Sequence, residues 1–214
     1  MSHCFPALKA GCEGQPPLVY LDTATTALMP GVVIDAVAQA HARGGSAGRS
    51  VHTFGAQATQ QYELARAAIA QHLGGAAEEL VFVRSATEGL NLVAEGWGRL
   101  RVGPGDEICV SVAEHHSNLL PWRRLCERRG ARLVVVACDT RGDLDLNDLK
   151  RRLNASTRVL AITHVSNVTG AQTPIPEVAA MVAGSPAAGA ALVVDGAQAV
   201  AHRPVNVAQL GCDF

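Results

Sequence analysis

The chain has 214 residues, of which 48% are hydrophobic and 17% are charged, a balance typical of a folded domain with a sizeable core. Its formal net charge of -1 offers no electrostatic basis for binding nucleic acid. The apolar runs are too short to cross a membrane and the N-terminal stretch has no signal-peptide core, so we expect a cytoplasmic protein that binds no membrane.

Taken in chain order, the sequence alternates longer amphipathic segments with short β-branched runs. The helix-like segments are Pro30–Ala42, Ala56–Leu73, Glu88–Arg99, Leu120–Arg129, Leu146–Leu153 and Pro176–Ala183. The strand-like runs are Leu80–Val83, Glu107–Val112, Arg132–Ala137, Arg158–His164 and Ala190–Val194. Because parallel strands need crossover connections, this alternation predicts one α/β domain with an open, mostly parallel sheet between two layers of helices.

The cysteines indicate neither disulfides nor a metal centre. The six of them stand at positions 4, 12, 109, 126, 138 and 212 and form no CxxC pair. We interpret Cys109 and Cys138 as thiols buried in or beside apolar strands. His3, Cys4 and Cys12 have the side chains of metal ligands, but no second ligand pair accompanies them, and no metal site is predicted.

Polar residues follow several of the predicted strands, where open α/β sheets bind their ligands. After Leu80–Val83, the loop Arg84–Glu88 leads directly into a helix, so that free backbone N–H groups and the Thr87 hydroxyl suit a phosphate. Serine and threonine precede helices routinely, and this loop alone is better explained as an ordinary N-cap.

The loops after three other predicted strands carry further candidates. His115 and His116 could stack on a heteroaromatic ring, transfer protons or bind a metal, and the pair alone favours none of these. Asn167 follows the next strand. Asp195 ends an apolar strand, where a carboxylate needs a partner such as a protonated pyridinium nitrogen, although a helix-capping aspartate is about as common.

The candidate residues favour one kind of ligand only when they are taken together. A phosphate-suited loop, a histidine, an amide and a carboxylate at one sheet edge are the contacts that a phosphorylated pyridine needs. The sequence has neither the GxGxxG fingerprint nor the GxxxxGK[ST] loop, so an unrelated nucleotide-binding α/β domain is the weaker alternative.

Six stretches of the sequence form a recognisable pattern. They are Tyr20–Thr26 (YLDTATT), Arg49–His52 (RSVH), Ala86–Asn91 (ATEGLN), Glu114–Trp122 (EHHSNLLPW), His164–Gly170 (HVSNVTG) and Val194–Gln198 (VDGAQ). Their order and spacing resemble the class V aminotransferases, fold-type I enzymes that use pyridoxal 5′-phosphate (PLP). The EHHxNxxPW stretch is most similar to the SufS/CsdA-like cysteine desulfurases and selenocysteine lyases.

The resemblance implies a domain layout in which residues 1–17 form an N-terminal segment. Residues 18–214 would form the PLP-binding large domain, incomplete at its C-terminus and without the small domain. In that family the strand starting at Cys212, Asp213 and Phe214 leads to the lysine that binds PLP covalently. The persulfide-forming cysteine and the arginine that binds the substrate carboxylate follow later still.

The resemblance also implies roles for the candidate residues. Thr87 and nearby backbone amides, including that of Ala86, would bind the PLP phosphate. His115 would stack on the pyridine ring and assist proton transfer, as the catalytic residue of this chain. Ala86 departs from close relatives, which often carry a second threonine there, so one hydroxyl contact to the phosphate is lost.

The remaining implied contacts concern the pyridine ring. Asn167 and Gln198 would contact the ring hydroxyl oxygen, and Asp195 would pair with the pyridinium nitrogen. A protonated nitrogen makes the ring an electron sink for the carbanion formed at the substrate α-carbon. Asp195 is therefore expected to keep the ring nitrogen of the cofactor protonated.

By the same resemblance, the parent function is PLP-dependent cysteine desulfuration, in which L-cysteine gives L-alanine and the sulfur leaves as a persulfide. The expected partners are the amino-acid substrate, a sulfur-acceptor protein in iron-sulfur cluster assembly, and a second copy of the chain in a homodimer. This chain alone is expected to be inactive. The alternatives are a selenocysteine lyase, an epimerase or an aminotransferase of the same fold, or a non-catalytic fragment.

Overall fold

The computed structural model describes residues 4–8 and 19–214. The chain divides into two compact units, residues 1–68 and residues 69–214. The predicted domain boundary between residues 17 and 18 lies outside the described residues, as do His3 and Cys12. No group of three or more potential metal-ligating side chains occurs within the described ranges.

The first unit contains helix α1, Gly31–Arg43, and the greater part of helix α2, Thr53–Leu73. Both helices lie close to their predicted bounds. Pro30 precedes α1 with an extended backbone, and Gly44 ends it at a φ of 66°, a conformation that glycine adopts without strain.

The second unit contains a sheet of four strands in the order β2-β1-β3-β4. The strands are β1 Glu107–Ser111, β2 Arg132–Val136, β3 Thr157–Thr163 and β4 Ala191–Asp195. All neighbouring pairs are parallel. The predicted α/β class and the parallel sheet are thus confirmed.

Six helices of the second unit connect and cover these strands. They are α3 Ala86–Leu92, α4 Arg99–Arg101, α5 His116–Arg129, α6 Leu146–Arg152, α7 Ile175–Ala183 and α8 Val207–Leu210. A π-helical segment, Val93–Gly98, joins α3 to α4, so the single helix predicted over 88–99 contains a change of helical type. No helix in the described ranges is long and apolar enough to span a membrane.

The core lies on both faces of the sheet. Ile108 and Val110 of β1 pack in one cluster with Trp122 of α5. Cys109, between them in sequence, packs in the other cluster with Leu149 of α6. Because successive strand residues point to opposite faces, this alternation defines three layers of helix, sheet and helix.

One predicted strand is wrong. Residues 80–83 belong to no strand, although Leu80 has an extended backbone, and Val81 is 65% exposed. A β-branched run specifies an extended chain, but a strand also needs a neighbour to pair with, and none of the four strands pairs with this segment.

The last residues pair with the outer edge of β4. The Phe214 N–H donates to Leu192 O and the Val194 N–H donates to Phe214 O, at 3.3 and 3.0 Å. This is the bonding pattern of a parallel neighbour, in agreement with the predicted strand start at Cys212–Phe214.

Candidate functional site

The order of the strands locates a crevice at one edge of the sheet. The chain passes from β1 to β2 on one side and then returns to place β3 on the other side of β1. This reversal is a topological switch point, outside which open α/β sheets bind ligands at the carboxyl ends of the strands. The loops after β1 and β3 flank the crevice, and the loop after β4 lies beside them.

Glu114 links the two loops of the switch point. Its Oε1 accepts hydrogen bonds from the Ser111 hydroxyl and from the Thr163 N–H, the latter at 3.0 Å. Its Oε2 accepts a hydrogen bond from Asn118 Nδ2 at 2.7 Å, and Asn118 Oδ1 accepts one from Trp122 Nε1 at 3.0 Å. Since Asn118 and Trp122 are fully buried, the carboxylate anchors the start of α5 to the end of β3.

The pKa of Glu114 is raised, chiefly because burial disfavours the charged carboxylate. The hydrogen bonds from Ser111, Asn118 and Thr163 oppose this effect, and the negative charge of Asp195 adds to it. Glu114 was not among the predicted site residues. Its signal was the spacing of four residues between Glu114, Asn118 and Trp122. Asn118 and Trp122 share one face of α5, and Glu114 precedes the helix and accepts a hydrogen bond from Asn118 in its first turn.

Thr87 and His115 are brought together by a residue that was not predicted, Ser117. The hydroxyl oxygens of Thr87 and Ser117 are 2.7 Å apart, and Ser117 Oγ lies 3.0 Å from His115 Nδ1. The cap of α3 is Ser85, whose hydroxyl accepts the Glu88 N–H, so the Thr87 side chain is not used as a cap. Thr87 and its neighbour Ala86 are exposed.

His115 is the N-cap residue of α5. Its Nδ1 accepts the Ser117 N–H at 3.2 Å, which fixes the ring relative to the helix start. The ring is exposed and meets the His116 ring edge-on, with 5.9 Å between centroids. An exposed ring held at one nitrogen can stack on a flat ligand.

Asp195 ends β4 and is 8% exposed. It is paired in register with Thr163, the same residue whose N–H binds Glu114. Asp195 Oδ1 accepts the Ala197 N–H at 3.0 Å, a turn contact of the kind expected for the capping interpretation. Within the described ranges Oδ2 accepts no hydrogen bond and no cation forms an ion pair with Asp195, so one oxygen of this carboxylate remains available to a ligand donor.

Asn167 and Gln198 lie in the loops after β3 and β4. Asn167 is exposed, in a turn where Ser166 Oγ accepts the N–H groups of Val168 and Thr169. Its side chain makes no hydrogen bond within the described residues. Gln198 is half-buried, in the turn that follows Asp195. Both stand at the predicted edge, and no hydrogen bond joins Asn167 to Thr87 or His115 within the described residues.

His164, at the end of β3, is a further residue that sequence reasoning did not select. It is 6% exposed, and its Nδ1 has no hydrogen-bond partner within the described part of the chain. Burial, together with the positive charge of Arg203, lowers the pKa of His164. The ring is therefore neutral at physiological pH.

The buried and half-buried cysteines are poor nucleophiles. Burial raises the pKa of Cys109 and of Cys126 to about 11, and it also raises the pKa of Cys138 and Cys212. Because the thiolate is the reactive form, these shifts lower the reactivity of all four thiols at neutral pH.

The fold and its crevice define a ligand-binding α/β domain, and the comparison with known proteins identifies the family. Residues 19–214 match the model of the family Aminotransferase class-V, and the chain belongs to that family. Its sequence is 48% identical over 212 residues to a cysteine desulfurase of Klebsiella pneumoniae, covering 98% of this chain and 51% of that protein. The chain spans about half the length of the curated relatives it matches.

Solved structures agree with this assignment. The cysteine desulfurase CsdA of Escherichia coli superposes with a TM-score of 0.83 at 37% identity, over 99% of this chain and 51% of that one. A cysteine desulfurase of Thermococcus onnurineus gives a TM-score of 0.85 at 36% identity, over 92% and 48%. A C-DES mutant with glycine linked to its PLP cofactor gives 0.79 at 20% identity, which supports the fold alone.

Proposed function

We propose that the whole protein is a PLP-dependent cysteine desulfurase and that this chain supplies the greater part of its cofactor cradle. The observation that carries the proposal is the meeting of Thr87, Ser117 and His115 beside the switch point, with the open carboxylate of Asp195 on a neighbouring strand. It is supported by 47–48% identity to proteins named cysteine desulfurase.

The residues present fit the chemistry of PLP. The exposed Thr87 hydroxyl, at the first turn of a helical segment that continues to Arg101, suits a phosphate. The free Oδ2 of Asp195 is an acceptor of the kind that a pyridinium N–H requires, and it lies in a mostly buried position where that pairing is strong. The His115 ring is exposed and can be reached by a flat ligand.

When bound, PLP withdraws electrons from the substrate α-carbon. This chain's residues bind and orient it. Asp195 would hold a proton on the ring nitrogen, Thr87 and the amide at Ala86 would hold the phosphate, and Asn167 and Gln198 would reach the ring oxygen. Glu114 fixes the loop that presents His115.

The lysine in the described part of the chain, Lys150, is not placed to bind PLP covalently. Lys9 lies outside the described residues, and Lys150 is exposed on α6, which leads into the opposite, amino-terminal end of β3. We therefore propose that this chain holds PLP by noncovalent contacts. The lysine and the persulfide-forming cysteine would come from sequence outside these 214 residues, and the chain alone would not desulfurate cysteine.

The likeness to cysteine desulfurases also underlies our proposals for the whole protein's partners and setting. These are L-cysteine as substrate, an acceptor protein for the persulfide sulfur, a homodimeric state and a cytoplasmic location. The predicted layout, a PLP-binding large domain over residues 18–214, belongs to the same proposal.

Incubation of the whole protein with PLP and L-cysteine tests the activity. We expect one alanine per sulfur transferred, and absence of alanine release would refute the desulfurase assignment.

Titration of the 214-residue chain with PLP, followed by absorbance, tests the cradle. Asp195→Asn should weaken binding by about 10- to 100-fold, because a charge-assisted hydrogen bond is lost. The matched control is Asp35→Asn, an exposed aspartate on α1, which should bind PLP as the parent does.

A further inference from the structure

The hydroxyl of Thr87 is hydrogen-bonded to a second helix of the chain. Thr87 lies in the first turn of α3, and its hydroxyl oxygen is 2.7 Å from that of Ser117, in the first turn of α5. Among the described residues, Ser117 is the only hydrogen-bond partner of this hydroxyl. The Ser117 oxygen also lies 3.0 Å from His115 Nδ1, so the three side chains form one row.

One assignment of protons satisfies both contacts of this row. His115 Nδ1 accepts the backbone N–H of Ser117 at 3.2 Å and therefore carries no proton. The Ser117 hydroxyl must then be the donor in its own contact with Nδ1. Because that hydroxyl has a single proton, the Thr87 hydroxyl must be the donor in the contact between Thr87 and Ser117. The Thr87 proton is thus directed at Ser117.

A phosphate beside Thr87 needs the same proton. The oxygens of an ionised phosphate are acceptors, so Thr87 contributes a hydrogen bond to them only by donating its hydroxyl proton. To do so, Thr87 must first break its hydrogen bond to Ser117. His115 Nδ1 keeps the backbone N–H of Ser117 throughout, so the ring does not change its proton. Ser117 and the phosphate therefore compete for one proton.

We infer that Ser117 is a positioning residue that holds the Thr87 proton away from the phosphate and so weakens phosphate binding. This inference rests on the proposed function, in which the phosphate belongs to the cofactor. It assigns opposite effects to two neighbouring hydroxyls, since that of Thr87 raises the affinity for a phosphate and that of Ser117 lowers it. The loss of one neutral hydrogen bond corresponds to about a 3- to 10-fold change in affinity. Ser117 therefore reduces the preference of the site for a phosphorylated over an unphosphorylated pyridine.

Calorimetric titration of the 214-residue chain measures this effect without any activity assay. The probes are pyridoxine 5′-phosphate, which has no aldehyde to react with amines, and pyridoxine, which lacks the phosphate. We expect Ser117→Ala to bind pyridoxine 5′-phosphate about 3- to 10-fold more tightly than the parent does, and to bind pyridoxine equally well. Alanine is a good helix former, so the variant should keep the first turn of α5. Ser117→Thr keeps the hydroxyl and should bind both probes as the parent does.

A second substitution tests whether Ser117 acts through Thr87. Thr87→Val removes the hydroxyl and keeps nearly the same shape, so it should weaken the binding of pyridoxine 5′-phosphate. In this background Ser117→Ala should cause no further change in affinity, because the proton for which Ser117 competes is absent. A residue that affected binding only through the general stability of α5 would change the affinity in both backgrounds.

The outcomes separate the inference from the proposed function. If Ser117→Ala binds pyridoxine 5′-phosphate no more tightly than the parent, the inference is refuted and the proposed function stands. The same holds if the tighter binding persists in the Thr87→Val background, because Ser117 would then act on something other than the Thr87 proton. If neither the parent nor Ser117→Ala binds pyridoxine 5′-phosphate better than pyridoxine, the proposed phosphate site is refuted, and the inference with it.

Discussion

Glu114→Gln should destabilise the second unit, although it changes a single oxygen to an amide. Glu114 accepts every hydrogen bond that it makes, from Ser111 and Thr163 on one oxygen and from Asn118 on the other. A glutamine that keeps its oxygen toward Thr163 turns its NH₂ toward the NH₂ of Asn118. Two donors then stand where a 2.7 Å hydrogen bond was.

Asn118 cannot relieve this conflict by flipping its amide. Its oxygen accepts the indole N–H of Trp122 at 3.0 Å, and a flip would set a second pair of donors face to face. Both side chains are fully buried, so water cannot substitute. Leaving a buried donor unsatisfied costs about 1–3 kcal/mol. With an m-value of about 2 kcal/mol/M, the urea midpoint falls by roughly 0.5–1.5 M.

Urea denaturation followed by tryptophan fluorescence measures this loss, and a second substitution tests its cause. In the double variant Glu114→Gln/Asn118→Asp, the aspartate accepts from both the glutamine NH₂ and the Trp122 N–H. Most of the lost stability should return. The reasoning fails if Glu114→Gln is as stable as the parent at neutral pH, or if the double variant is less stable than the single one.

Three further predictions concern titration. The raised pKa of Glu114 means that the folded state holds its proton at higher pH than the unfolded state. The contribution of Glu114 to stability therefore falls as the pH rises above 4.5. Glu114→Gln should remove that slope from urea midpoints measured across pH. The pKa of Asp148 is lowered to about 2 because its carboxylate accepts hydrogen bonds from the Ala137 N–H, Arg152 and Arg151. The stabilisation that Asp148 contributes is present above pH 3.8 and is lost as the pH falls toward 2. Asp148→Asn should flatten the acid limb of the same curve. Iodoacetamide at pH 7 should leave Cys109 unmodified in the folded chain and alkylate it in urea, as mass spectrometry would show; rapid labelling of the folded chain would contradict its burial and raised pKa.

The sequence predicted the central strands well because their environment is simple. The residues of β1 are all buried, and those of β3 and β4 nearly all, so continuous β-branched and apolar runs identify them. The run at residues 80–83 has the same composition, but strand formation depends on a neighbour that composition does not encode. The π-helical segment Val93–Gly98 likewise had no recognised signal.

The candidate site was predicted in part. Thr87 and His115 are linked through Ser117, although the strand predicted before Thr87 does not form, and Asp195 ends the strand next to β3. The residues that join them, Ser117 and Glu114, were quoted within the EHHSNLLPW motif but given no role. The contact between Thr87 and Ser117 spans thirty positions of sequence, and a single sequence does not reveal such a tertiary pair.

The EHHSNLLPW motif combines residues that pack into the core with residues that face the crevice, and the second set is positioned by the first. Glu114, Asn118 and Trp122 recur every four residues and point into the core, where each satisfies the next. His115 and Ser117 lie between them and point toward the crevice. Because the inward residues hold the start of α5 against β3 through Thr163, the outward residues keep a fixed distance from Thr87. A substitution at Asn118 should therefore disturb the His115 ring without touching any ligand.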